Sequence, residues 1–86
     1  MTVKEVTLDT SSVCVSDIIG RITNIEWVWL QAKAANTVNI QWGSHETQAM
    51  EILPGGSVIL PFKDIGIIYV KAASSTAGLA VTVRSK

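Results

Sequence analysis

Charge is scarce in this chain: seven Lys and Arg balance seven Asp and Glu among 86 residues, 16% in all, for a net charge of zero. Binding nucleic acid takes a basic face to neutralise phosphates, and this chain cannot assemble one without an equal acidic one, which argues against a polyanion partner. Cysteine is nearly absent. Cys14 alone makes no internal disulfide and no multi-thiolate zinc site, so neither device stabilises the fold. No apolar run approaches the roughly 20 residues that span a bilayer, and no basic start leads into an apolar h-region. The expectation is a soluble, unprocessed protein with no membrane partner. Linkers, charge blocks, low-complexity tracts and long internal repeats are missing too, consistent with a single β-sandwich domain over residues 1–86.

What the chain has instead is apolar residues, 48% of the total. A domain this short buries only about 60–65% of its unfolded surface, and a typical one carries about a quarter charged residues. Apolar surface is therefore left over. From Ile65 to Val83 the only charge is Lys71, and from Ala34 to Ser44 there is none, so whole stretches lack the charged outer face that keeps a monomer soluble. Self-association is expected.

The apolar residues recur in twos. Val38, Ile40 and Trp42 alternate with Thr37, Asn39 and Gln41; Leu79, Val81 and Val83 alternate with Ala80, Thr82 and Arg84; Val58, Leu60 and Phe62 alternate with Ser57, Ile59 and Pro61. These three sets predict half-buried strands facing one core. Trp27–Leu30 and Ile67–Val70 are apolar on both faces and predict strands lying between the core and a second apolar surface. Thr2–Leu8, Ser12–Ser16 and Gln48–Leu53 are weaker strand candidates, and 18–22 reads as a helical turn. Pro61 confines its strand to an edge, a bulge or a terminal position, because proline cannot donate to a ladder.

Turn chemistry separates these segments. Leu53-Pro54-Gly55-Gly56 has the proline and glycine that a type II turn requires at its second and third positions. Ala35-Asn36-Thr37 offers a residue tolerant of left-handed geometry, which predicts an antiparallel hairpin joining the Trp27 and Val38 strands. Six to eight short strands at this spacing predict an all-β fold, a small antiparallel β-sandwich or jelly-roll-like barrel.

Candidate chemistry is sparse. His45, beside Glu46, lies on a turn-like segment without a nucleophile motif and reads as a solvated loop residue. Asp9, Asp17, Glu26, Glu46, Glu51 and Asp64 are scattered singly. Calcium at Asp9 or Asp64 would need six to eight oxygens, which no local cluster supplies. Cys14 sits between two valines and reads as a small packed residue. No catalytic, cofactor-binding or metal-binding residue is assigned, and the chain is read as a non-enzyme. Trp27, Trp29 and Trp42 are three of only five aromatics; they fill the core or a subunit contact, or else expose a sugar-stacking platform beside Asn39 and Gln41. With Ile67 and Tyr69 they make up the candidate interface.

The segments Val38-Asn39-Ile40-Gln41-Trp42-Gly43, Ile52-Leu53-Pro54-Gly55-Gly56, Asp64–Ala72 and Gly78-Leu79-Ala80-Val81-Thr82-Val83 together cover roughly the C-terminal half. In that order they resemble small β-sandwich virion proteins of tailed bacteriophages, the decoration, cement and head-fibre-base modules. The resemblance implies a virion location, assembly as an oligomer, often a trimer, and the major capsid protein as partner. It leaves a tail or head-fibre component, and a carbohydrate-binding module for host recognition, as the alternatives.

Overall fold

A computed structural model describes residues 2–85. Its strands are β1 (Thr2–Leu8), β2 (Val13–Cys14), β3 (Ile25–Ala32), β4 (Ile40–Gly43), β5 (Met50–Ile52), β6 (Ser57–Leu60), β7 (Tyr69–Ala72) and β8 (Ala77–Ser85). A five-residue helix, α1 (Val15–Ile19), follows β2, and a 3-10 turn (Ile65–Ile67) precedes β7. One sheet has the order β1-β8-β3-β6 and the other β2-β7-β4-β5. The antiparallel pairs β1·β8, β2·β7, β3·β6 and β4·β5 are nested, as if one long hairpin had been rolled across both sheets. That is jelly-roll connectivity within an all-β sandwich.

Alternation decides which side chains fill the space between the sheets. Leu79, Val81 and Val83 of β8 and Val28, Leu30 and Ala32 of β3 are buried, and they meet Ile40, Ile52, Val70 and Ala72 from the second sheet. Each fully buried branched side chain contributes about 1.5–3 kcal/mol. The Leu53–Gly56 segment closes as expected: the Gly56 N–H donates to the Leu53 carbonyl at 2.8 Å while Gly55 holds a φ of 79°. Only glycine adopts that angle without cost.

Five local expectations need correction. The Trp27 and Val38 strands do not form a hairpin, because β3 pairs with β6 and β8 while β4 lies in the other sheet. Asn36 does not supply left-handed backbone there, since among the described residues the non-glycine ones with positive φ are Asn24 and Ser75. Its side chain instead grips β8: Asn36 Nδ2 donates to the Gly78 carbonyl at 2.9 Å and the Gly78 N–H donates to Asn36 Oδ1 at 2.8 Å. This amide does the work of a strand residue and holds the turn against the first sheet while the chain crosses to the second. Phe62 does not join Leu60 in the core; β6 ends before Pro61, and Phe62 is exposed. Lastly, Ile67–Val70 is not one strand. Ile67 belongs to the 3-10 turn, and the helical turn expected at 18–22 starts earlier, as α1.

Candidate interaction surface

The outer face of the first sheet carries the side chains that alternation turns away from the core. Cross-strand pairing sets Val3, Thr82, Trp29 and Ile59 in one row spanning all four strands. Val3 is 61% and Ile59 62% exposed, and Trp29 lies half-buried between them. A second row holds Glu5, Ala80, Gln31 and Ser57, and a third pairs Arg84 with Trp27. Two ion pairs bracket the apolar row: Lys33 Nζ to Glu5 Oε1 at 2.7 Å and Arg84 Nε to Glu26 Oε2 at 3.5 Å. Both are solvent-exposed and add little stability. What they do is leave this face with no net charge.

The second sheet turns a different face to solvent. There Lys71, Gln41 and Glu51 lie side by side across β7, β4 and β5. Both outer faces carry charge at outward positions, Glu5 and Arg84 on the first sheet and Lys71 and Glu51 on the second. Among the described residues, exposed large apolar side chains occur on both sheets: Val3 and Ile59 on the first, Met50 and Ile67 on or beside the second.

The five candidate interface residues do not form one patch. Trp27 and Trp29 share the outer face of the first sheet, as their spacing predicted. Trp42 is in the other sheet and packs partly buried against the core, so the expected contact across a β3–β4 hairpin is not made. Ile67, 55% exposed, and Tyr69 lie at the end of the second sheet. Trp29 has one further peculiarity: its Nε1 is buried and has no hydrogen-bond acceptor. Leaving such a donor unpaired costs about 1–3 kcal/mol.

Tyr69 borders a shallow cleft of about 420 Å³ with Ser44, His45, Glu46, Gly66 and Ile67. The rings of His45 and Tyr69 meet edge to face, 5.1 Å between centroids at 70°. Desolvation raises the Tyr69 phenol above its ordinary value, and the neighbouring Cys14 thiol and Asp17 carboxylate push the same way. The loop carrying His45 is held by Gln48, whose Nε2 donates to the Ser44 carbonyl at 2.6 Å. Cys14 is buried, its Sγ 3.1 Å from Ser16 Oγ and 3.4 Å from the Gly66 carbonyl oxygen.

The two carboxylates weighed for calcium serve turns. Asp9 Oδ1 accepts from the Ser11 N–H at 2.9 Å, and Asp64 Oδ1 accepts from the Gly66 N–H at 2.8 Å, capping the 3-10 turn. Among the described residues, no three His, Cys, Asp or Glu side chains gather as metal ligands would. Sequence reasoning missed the Val3–Ile59 row because cross-strand register is long-range information. The exposed alternation partner Ile59 was the one local signal for it.

Compared with protein-family models, curated proteins and solved structures, the chain matches none.

Proposed function

We propose that this protein is a non-enzymatic structural component of a tailed-bacteriophage virion, assembling with copies of itself and attaching to the major capsid protein on the capsid exterior. The observation that carries the reading is the uncharged row Val3–Thr82–Trp29–Ile59 across the outer face of the first sheet, with Val3 and Ile59 exposed at its two ends and Thr82 and Trp29 half-buried between them. A contiguous exposed apolar surface marks a contact with another macromolecule. Jelly-roll connectivity supports the reading at the level of analogy, since viral capsid domains are built this way, but lectin domains are too. The motif resemblance in the C-terminal half points to the virion.

A face without net charge draws its partner by shape, apolar burial and hydrogen bonds, so attachment depends little on salt. Many symmetric copies bridging neighbouring capsid subunits add avidity without strong single sites. A cement of this kind stabilises the shell because it binds the assembled lattice and not the dissociated subunits. The test is labelling of intact particles with an antibody to the chain, together with the heat-rupture temperature of particles assembled without it. External labelling and earlier rupture support the proposal; particles that never carry the chain overturn it.

The alternative of a glycan platform on Trp27 and Trp29 gains from their shared face but loses from their half-burial, which leaves less ring face for a sugar to stack on. A glycan array that binds the wild type and not Trp27→Ala would reverse this order.

A further inference from the structure

The two long edges of the sandwich are built differently. The edge formed by β1 and β2 is guarded by Lys4 and Glu5 within β1 and by Asp9 and Asp17 close by. The opposite edge, formed by β6 and β5, carries no charge within β6 and one, Glu51, within β5; among the described residues, four of the six exposed large apolar side chains lie on these two strands or next to them: Met50, Leu53, Ile59 and Phe62. Natural sheets blunt their free edges with charge, because unpaired N–H and C=O groups invite another strand. Here β6 is limited by its four-residue length and by Pro61 just beyond it, but not by charge.

Backbone direction adds a second observation. The Ala32 N–H donates to the Gly56 carbonyl at 2.9 Å, so Gly56 faces β3. Since antiparallel partners alternate between hydrogen-bonded and non-bonded positions, Val58 and Leu60 also face β3, and Ser57 and Ile59 turn their N–H and C=O groups outward. The next outward position is Pro61, which has no N–H to leave unpaired.

We propose that the β6 edge pairs with the β6 edge of a second copy, antiparallel about a twofold axis that sets Ile59 opposite the partner subunit's Ile59. In that register the two Ile59 residues exchange both backbone hydrogen bonds, and each Ser57 N–H reaches the carbonyl of Pro61 on the other copy. Pairing that keeps both side-chain faces aligned requires residues of the same parity to oppose each other, and this register satisfies it. The Val3–Thr82–Trp29–Ile59 row then runs unbroken into its symmetry mate across an eight-stranded sheet. A second copy is the fitting occupant because the strand is self-complementary: it is uncharged, apolar on both faces, and flanked by bracketing ion pairs that cancel. The same twofold applied to β1 about Glu5 would set Glu5 against Glu5. Covering a tenth of the 4940 Å² surface on each copy would bury about 1000 Å² in total, the lower bound for a specific pair.

This inference rests on the self-association in the proposed function, but it names a twofold contact where the resemblance implies a trimer. The test uses the full chain. Facing residues in a hydrogen-bonded pair stand about 5.5 Å apart at Cα, within disulfide range, so Ile59→Cys under mild oxidation should form a covalent dimer at least ~10-fold faster than Glu5→Cys on the guarded edge. By sedimentation the wild type should have twice the 9.2 kDa chain mass, and Ile59→Lys should have the chain mass with an unchanged circular dichroism spectrum. A trimer, or equal cross-linking at the two edges, or an Ile59→Lys chain that remains associated, overturns the β6 contact while leaving self-association standing. A wild type at the chain mass at high micromolar concentration overturns both.

Discussion

Replacing Leu79 by Asp tests the core assignment directly. Leu79 is wholly buried in β8, flanked by Val6 on β1 and Ala32 on β3, with no charged side chain in either position. Losing the leucine burial costs about 1.5–3 kcal/mol. A carboxylate left there without a partner costs several kcal/mol more, against a total stability of about 5–15 kcal/mol for a domain of this kind. Leu79→Asp should therefore be largely unfolded at neutral pH. The pH dependence has a definite sign. Burial raises the folded-state pKa of the new carboxyl above the unfolded value of about 3.9, so the penalty is largest above the folded pKa and eases as pH falls toward the unfolded one. Thr82→Asp, three residues along on the outer face, is the control and should fold within about 1 kcal/mol of wild type. Urea denaturation followed by circular dichroism at pH 7 and near pH 4 reads both. Equal stabilities for the two variants would refute the inward–outward assignment of β8.

Three other outcomes are expected. Asn36→Ala leaves the Gly78 N–H and C=O without their side-chain partners and should lower stability by about 1–3 kcal/mol in chemical denaturation. The Tyr69 phenol should ionise above 10.0 in an ultraviolet titration; because its folded-state pKa is the higher one, its contribution to stability is complete below the unfolded value and is lost as pH rises through the folded one. His45→Ala removes one edge-to-face contact from an exposed loop and should change the melting free energy by no more than about 1 kcal/mol, with assembly unaffected.

Period-two patterning was enough to read β8, since burial on one face writes itself into every second residue. The type II turn at Leu53–Gly56 was equally legible, because its geometry depends on two adjacent residues. The β3–β4 hairpin was misread for a reason of the same kind. Asn36 looks like a left-handed turn residue locally, but its amide is committed to Gly78, 42 positions away, and no window of neighbouring residues contains that information. The nested pairing of strands is long-range in the same way. Trp27 and Trp29 were correctly placed on one face, yet whether that face met solvent or core was decided by Val28 and Leu30, which compete for the interior and are wholly buried. Trp42 lost its expected tryptophan neighbours once β4 went to the other sheet.

Attachment to a particle through a face without net charge is the central proposal. The most direct measurement is re-addition of the purified chain to particles assembled without it, with bound copies counted and heat rupture recorded at low and at high salt. Saturable binding that restores the rupture temperature equally at both salt concentrations is the predicted result. Binding abolished by moderate salt, or no binding to particles at all, would contradict it.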